Sequence, residues 1–100
     1  MFSAQQRAQG AGSAKDLFVP ELGYLKKVKA LCKKYNVLLV TDEVQTGLCR
    51  TGKMMAYDHD LEGDLPDITT LGKALSGAVT PVSGIVASTE LMDNFEVGEH

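Results

Sequence analysis

Apolar residues follow two different spacings along the first half of the chain. Between Tyr24 and Tyr35 they recur at helical intervals with lysines between them, which predicts an amphipathic helix with a solvated basic face. Asn36 is suited to a left-handed stop after this helix. The run from Val37 to Val40 is apolar without alternation, which predicts a short strand buried on both faces of a parallel sheet.

Two further strands and a closing helix are predicted downstream. Residues 68–71 and 81–87 have the composition of short strands, and Ser88 is able to cap a helix that runs through Asn94. The polar residues 48–64 between the first two strands are expected to form an irregular surface segment. The predicted fold class is therefore α/β, with helix–strand units and a mostly parallel sheet.

The composition is that of one globular domain, since 44% of the 100 residues are hydrophobic. A formal net charge of −3 provides no basic field for nucleic acid, and no apolar run approaches the roughly 18 residues that a membrane span needs. Cys32 and Cys49 lack the spacing of a disulfide framework or a zinc site. We therefore expect an intracellular protein, in the mitochondrial matrix or the cytoplasm.

The first sixteen residues differ from the rest of the chain. They are rich in small and polar residues, with Arg7 and Lys15 as their bases and no acid before Asp16. We interpret residues 1–16 as an irregular or truncated N-terminus, with a mitochondrial presequence as the alternative.

An acid and an amine are expected at one edge of the predicted sheet. Asp42 follows the first strand and Lys73 follows the second, and ligands of open α/β sheets bind beyond the carboxyl ends of the strands. A structural ion pair is one interpretation. The other is pyridoxal phosphate chemistry, because an apolar pocket lowers the pKa of a lysine amine, and a buried aspartate keeps a pyridine nitrogen protonated.

Two other motifs point to different chemistry. The triplet Asp58-His59-Asp60 contains metal-ligand residue types, but adjacent residues rarely converge on one ion, so we predict no metal site. An apolar strand followed by Asp-Glu, with Gly47, Gly52 and Lys53 after it, resembles the elements of a P-loop NTPase. Met54 then stands where the magnesium-binding hydroxyl belongs, and the glycines follow the acids instead of preceding them.

Residues 41–53 and 66–77, followed by Pro81-Val82-Ser83, resemble the cofactor-binding core of class III pyridoxal-phosphate aminotransferases. Within that class the ornithine δ-aminotransferases are the most similar group. The resemblance extends from about Phe18 to His100. It implies that residues 17–100 are a fragment of the large domain of a fold-type-I transferase that binds pyridoxal 5′-phosphate (PLP).

The resemblance also implies roles for four residues. Lys73 would be the catalytic lysine that forms a Schiff base with PLP, and Asp42 the partner of the pyridinium nitrogen. Val44 would pack on the ring, and Gln45 would donate a hydrogen bond to the ring hydroxyl. The implied reaction is transfer of the δ-amino group of ornithine to 2-oxoglutarate, giving glutamate semialdehyde and glutamate, in a homodimer.

The chain departs from the family pattern at two positions. Ala78 stands where relatives usually have a glycine, which is costly if φ is positive there. Residues 9–12 contain no acid where relatives carry a glutamate that gates the substrate. Family chains are several times longer, so we expect the isolated chain, with unpaired strand edges and open apolar faces, to be inactive. The alternative is a non-catalytic remnant that associates with a full-length aminotransferase.

Overall fold

The computed structural model describes residues 19–98, which contain one sheet of three strands. The interpretations of residues 1–16 and 9–12 concern positions outside the described residues. The elements in chain order are α1 (Tyr24–Lys34), β1 (Val40–Asp42), α2 (Asp58–Leu61), β2 (Ile68–Leu71), a 3₁₀ helix (Lys73–Ser76), β3 (Gly84–Ala87) and α3 (Thr89–Met92).

The sheet is mixed, with the strand order β1-β2-β3. β1 and β2 are parallel, with Val40 opposite Ile68, as the sequence predicts. β2 and β3 are antiparallel, with Ile68 opposite Ala87. Parallel pairing needs a crossover connection, usually a helix that packs across the sheet. Residues 72–83 contain only the 3₁₀ helix, so the chain turns back beside β2.

β1 lies further along the chain than the apolar run predicts. The side chains of Val37 and Leu38 are 50% and 45% exposed, and the strand begins only at Val40. The backbone amide of Leu39 donates to Oδ2 of Asp67 at 2.7 Å instead of to a ladder carbonyl. Because this carboxylate takes the amide just before the ladder, regular pairing starts one residue later.

α1 has the predicted position, and Asn36, with φ of 53°, adopts the predicted left-handed conformation after it. The prediction of a uniformly solvated lysine face is wrong at Lys29, which is buried. Its Nζ lies 3.3 Å from Oδ2 of Asp67, immediately before β2. The same carboxylate therefore joins α1 to both parallel strands.

The core includes residues from the segment predicted to be irregular surface, so that prediction is wrong in part. Tyr57, just before α2, is 9% exposed, and Leu61, the last residue of α2, is 3% exposed. Leu39, just before β1, is fully buried. α2 packs against α1. The four-residue spacing of Tyr57 and Leu61 places both on one side of a helical turn.

The β3 side of the sheet is open. Ile85 and Val86 occupy successive positions in β3 and are 49% and 56% exposed, so both faces of this strand have exposed apolar side chains. Ser88 caps α3 as predicted by accepting a hydrogen bond from the Leu91 amide, but the helix ends at Met92 before it reaches Asn94. Among the helices of residues 19–98, none has the length and apolar character that crossing a bilayer requires.

Candidate active site

The parallel pairing of β1 and β2 brings their carboxyl ends to the same edge of the sheet. Asp42, the last residue of β1, is in register with Thr70 of β2. Lys73 follows two residues after the end of β2, as the first residue of the 3₁₀ helix. The predicted acid therefore lies at the end of one strand, and the amine lies just after the end of its neighbour.

The carboxylate of Asp42 is oriented by hydrogen bonds to one of its two oxygens. The Thr70 hydroxyl donates to Oδ1 at 2.9 Å, and the Val44 amide donates to the same atom at 3.2 Å. Oδ2 accepts no hydrogen bond from another residue within 19–98. Among residues 19–98, this half-buried carboxylate therefore has a fixed orientation and one oxygen atom without a hydrogen-bond donor.

Val44 packs closely against the turn that leads to Lys73. A methyl group added at Gly72 would lie 3.2 Å from Cγ1 of Val44 and 3.7 Å from Cγ2. Gly72 has φ of −171°, an extended conformation open to any residue, so space and not backbone angle explains the glycine. This contact connects the end of β1 to the start of the lysine loop.

Lys73 is exposed and has a positive φ of 39°. It lines a cavity of about 350 Å³ with Pro81, Val82 and Ser83, whereas Asp42 lines a smaller one of about 150 Å³. The apolar enclosure expected around the amine is therefore not supplied by the described residues. Left-handed backbone at a residue with a side chain is strained, and such strain is concentrated at functional sites.

Two other residues of the predicted motif face solvent. Gln45 is exposed and makes no hydrogen bond to another residue within 19–98. Among those residues its side-chain amide therefore has no acceptor. Arg50, to which the sequence assigned no catalytic role, is exposed as well.

Ala78 adopts φ of 67°, the positive angle at which an alanine in place of a glycine is expected to be costly. An alanine in the left-handed region costs about 1 kcal/mol relative to glycine. Ala78 follows Gly77, which also has a positive φ of 63°. The loop that begins at Lys73 therefore has strained backbone at two non-glycine positions, Lys73 and Ala78.

Glu43 was not recognised as important from the sequence. It is 5% exposed, and its carboxylate accepts three hydrogen bonds. Oε2 accepts from the Thr46 hydroxyl at 2.8 Å and the Ala56 amide at 2.9 Å, and Oε1 accepts from the Tyr57 amide at 3.1 Å. Two of these donors are backbone amides thirteen and fourteen residues away, and no side-chain pattern in the sequence predicts such donors.

The side chains of the triplet Asp58-His59-Asp60 make structural hydrogen bonds, both nearby and to α1. Asp60 accepts hydrogen bonds from the amides of Gly23 and Leu25 at the start of α1. Asp58 accepts from the Met55 amide, and Nε2 of His59 lies 2.9 Å from the Thr51 carbonyl oxygen. Within residues 19–98 no cluster of three or more His, Cys, Asp or Glu side chains has an arrangement suited to a metal ion.

Comparison with known families shows which class of protein this chain belongs to. The family described as aminotransferase class-III matches residues 9–100, nearly the whole chain. The chain belongs to the class III aminotransferases. This assignment confirms the resemblance seen in the sequence and gives the P-loop interpretation no support. In agreement, the segment after Lys53 forms turns, and the next helix begins only at Asp58.

Individual class III relatives cover most of this chain. Mitochondrial ornithine aminotransferase from Drosophila melanogaster is 56% identical over 82% of the chain and 19% of its own length. The structure of ornithine aminotransferase from Toxoplasma gondii, with partial occupancy of PLP at its active site, is 49% identical. It has a TM-score of 0.78 over 84% of this chain and 19% of that one. Acetylornithine aminotransferase from Elizabethkingia anophelis is 51% identical, with a TM-score of 0.77 over 84% of this chain and 20% of that one.

These comparisons also fix the fold and the extent of the match. The neighbours are fold-type-I PLP aminotransferases, so the three-stranded unit is a small α/β part of that architecture. The chain spans about a fifth of the length of the curated relatives it matches.

The residues of this class III chain fit a PLP ring. Oδ2 of Asp42, which accepts no hydrogen bond from another residue within 19–98, would suit a protonated ring nitrogen, since a carboxylate favours the charged form of such a partner. Val44 provides an apolar side chain two residues after Asp42, beside the turn at Gly72. Lys73 provides an accessible primary amine at the neighbouring strand end.

Proposed function

We propose that this chain carries the cofactor lysine and aspartate of an ornithine aminotransferase. The reaction transfers the δ-amino group of ornithine to 2-oxoglutarate and yields glutamate semialdehyde and glutamate. The proposal rests on the Asp42 carboxylate, which is held through Oδ1 with Oδ2 free, beside the strand end that leads to Lys73. Curated relatives named ornithine aminotransferase, 51–56% identical, support the choice of amine donor.

Four residues of the chain would hold PLP. Lys73 would bind it covalently through Nζ and later move a proton to and from the substrate carbon. Oδ2 of Asp42 would hold the proton of the ring nitrogen, Val44 would pack on the ring, and Gln45 would donate to the ring hydroxyl. When bound, PLP supplies the electron sink that amino transfer requires.

We propose that polypeptide outside residues 19–98 completes the site around the exposed Lys73. The chain spans about a fifth of its relatives, and residues 19–98 leave the amine open. We propose that the complete enzyme is a homodimer, with the mitochondrial matrix or the cytoplasm as its compartment. The Drosophila relative is named as mitochondrial.

A second candidate function follows from the same exposure. Residues 19–98 do not enclose Lys73 and leave apolar side chains exposed on both faces of β3, which suits a non-catalytic protein that associates with a full-length aminotransferase. In this case the chain alone would neither hold PLP at Lys73 nor turn over.

Site-specific labelling tests the proposal. The purified chain is mixed with PLP, its visible spectrum is recorded, and borohydride reduction is followed by peptide mapping. We expect a visible absorption band and a label on Lys73, both absent in Lys73→Ala. Lys53→Ala removes another exposed lysine and is the matched control, which should label as the wild type does.

Two results would contradict the proposal or redirect it. A label scattered over the lysines of α1 would show nonspecific reaction and favour the non-catalytic function. The amine donor is tested with this chain exchanged for the matching segment of a complete class III aminotransferase, assayed with ornithine and with acetylornithine, since the Elizabethkingia relative is named for the latter. Turnover of acetylornithine alone would replace ornithine as the amine donor.

A further inference from the structure

Glu43 lies between two residues of the proposed cofactor site, Asp42 and Val44. Its carboxylate is buried, and each oxygen accepts at least one hydrogen bond from a residue within 42–57. A buried carboxylate is costly unless such donors surround it. Here the donors are two backbone amides and one hydroxyl, so the charge is compensated without a cation among them.

The main chain of Glu43 is equally constrained. Its amide donates to the Thr70 carbonyl at 3.0 Å, which continues the parallel pairing one residue beyond β1. Its carbonyl accepts from the Gly47 amide at 2.9 Å. A methyl group added at Gly47 would lie 2.8 Å from this carbonyl oxygen, so the turn can close here only with glycine.

These contacts fix the backbone on which the cofactor residues stand. Rotation of the peptide units around Glu43 would break its bonds to both β2 and the segment at Ala56 and Tyr57. The Val44 amide belongs to the next peptide unit and is one of the two donors that orient Asp42. Hydrogen bonds to the buried carboxylate of Glu43 thereby hold the two ends of the loop at residues 44–57 together.

We infer that Glu43 is a positioning residue, which orients Asp42 and Val44 toward PLP by holding the peptide units between them. The inference rests on the proposed function for its ligand, but the anchoring itself is independent of the cofactor. Glu43 does not touch the reacting atoms and acts only through its two neighbours.

The substitution Glu43→Gln separates charge and hydrogen bonding from shape. Gln has one carbonyl oxygen, so one of the two positions must present an amide group to a backbone N–H. If the side-chain NH₂ group of Gln faces Tyr57, the backbone amide of Tyr57 loses its acceptor. If the NH₂ group faces Ala56, the backbone amide of Ala56 loses its acceptor. An unsatisfied buried donor corresponds to a change of about tenfold or more in an equilibrium.

Two measurements on the 100-residue chain test the inference: hydrogen exchange of individual amides and PLP affinity from the visible band. In Glu43→Gln we expect about tenfold faster exchange at Ala56 or Tyr57, faster exchange at Val44, and about tenfold weaker PLP binding. Glu43→Asp keeps the charge and should restore part of the Val44 protection. Glu62→Gln, at an exposed glutamate paired with Lys26 at 3.6 Å, is the control and should change neither measurement.

The outcomes separate this inference from the proposed function. Faster exchange at Ala56 and Tyr57 with unchanged Val44 protection would show that Glu43 only closes the loop, and would overturn the inference. Unchanged PLP affinity in Glu43→Gln would overturn it as well. A wild-type chain that does not hold PLP at Lys73 would favour the non-catalytic function, and Val44 exchange would then decide the anchoring. If Glu43→Gln fails to fold, Glu43→Asp is compared with the wild type instead.

Discussion

Gly72→Ala tests the contact between the end of β1 and the lysine loop. The added methyl group would lie 3.2 Å from Cγ1 of Val44, closer than ordinary van der Waals contact, and 3.9 Å from Cβ of Ser83. Since the backbone at Gly72 is extended, the substitution adds no strain in φ. Val44 must therefore move by a few tenths of an ångström, and the variant measures the cost of that movement.

The magnitude follows from two opposing effects. Overpacking of a tight contact costs about 1–3 kcal/mol. Replacing glycine by alanine stabilises by about 0.4–1 kcal/mol, because the unfolded chain loses freedom. Gly84→Ala is the matched control, since a methyl group there has no neighbour within 4 Å and φ is not positive. The unfolded-state effect cancels between the variants, so Gly72→Ala should be about 1–3 kcal/mol less stable than Gly84→Ala.

Urea unfolding followed by circular dichroism measures this difference, provided that the slope with denaturant is unchanged. The cause is tested by repeating Gly72→Ala in a Val44→Ala background, which removes both contacting methyl groups. There we expect the penalty to fall below about 0.5 kcal/mol. Equal stabilities of Gly72→Ala and Gly84→Ala, or a penalty that persists without the valine methyl groups, would refute the reasoning.

Two further predictions concern charged and titratable groups. Asp67→Ala should cost about 3 kcal/mol in unfolding free energy, because it leaves the buried ammonium of Lys29 without its carboxylate. Asp64→Ala removes a 3.9 Å pair between exposed side chains and should change stability by less than about 0.5 kcal/mol in the same urea assay. Burial, reinforced by nearby carboxylates, raises the pKa of Tyr57 above its ordinary value of 10.0. The folded state therefore retains the phenol proton longer than the unfolded state, and stability should fall as pH rises above about 10. Tyr57→Phe should show a smaller decline over pH 9–11.

Each of these predictions has a clear contradiction. Equal costs for Asp67→Ala and Asp64→Ala would mean that burial does not decide the value of the ion pair. Parallel stability curves for the wild type and Tyr57→Phe would mean that the phenol titrates alike in the folded and unfolded states. Because lysines titrate in the same range, the difference between the two proteins is the quantity to compare.

The sequence alone was sufficient for features that depend on neighbouring residues. The helical spacing before Asn36 and the short strand at residues 68–71 follow local periodicity, and the structure has both as predicted. The motifs around Asp42 and Lys73 were sufficient to recognise the class III family. Local chemistry also accounts for the Ser88 cap, whose acceptor and donor are only three residues apart.

Tertiary structure decided whatever depends on distant partners. Asp67 accepts a hydrogen bond from the Leu39 amide before β1 and forms an ion pair with the buried Lys29. Glu43 accepts hydrogen bonds from the backbone amides of residues 56 and 57. These donors and acceptors belong to main-chain groups or to distant segments, which leave no periodic signal in the side chains. The exposure of Lys73 also depends on tertiary structure, because the residues that enclose an amine come from distant segments of the fold. Sequence therefore determined which chemical groups are present at this sheet edge, and packing determined which of them are held, buried or open.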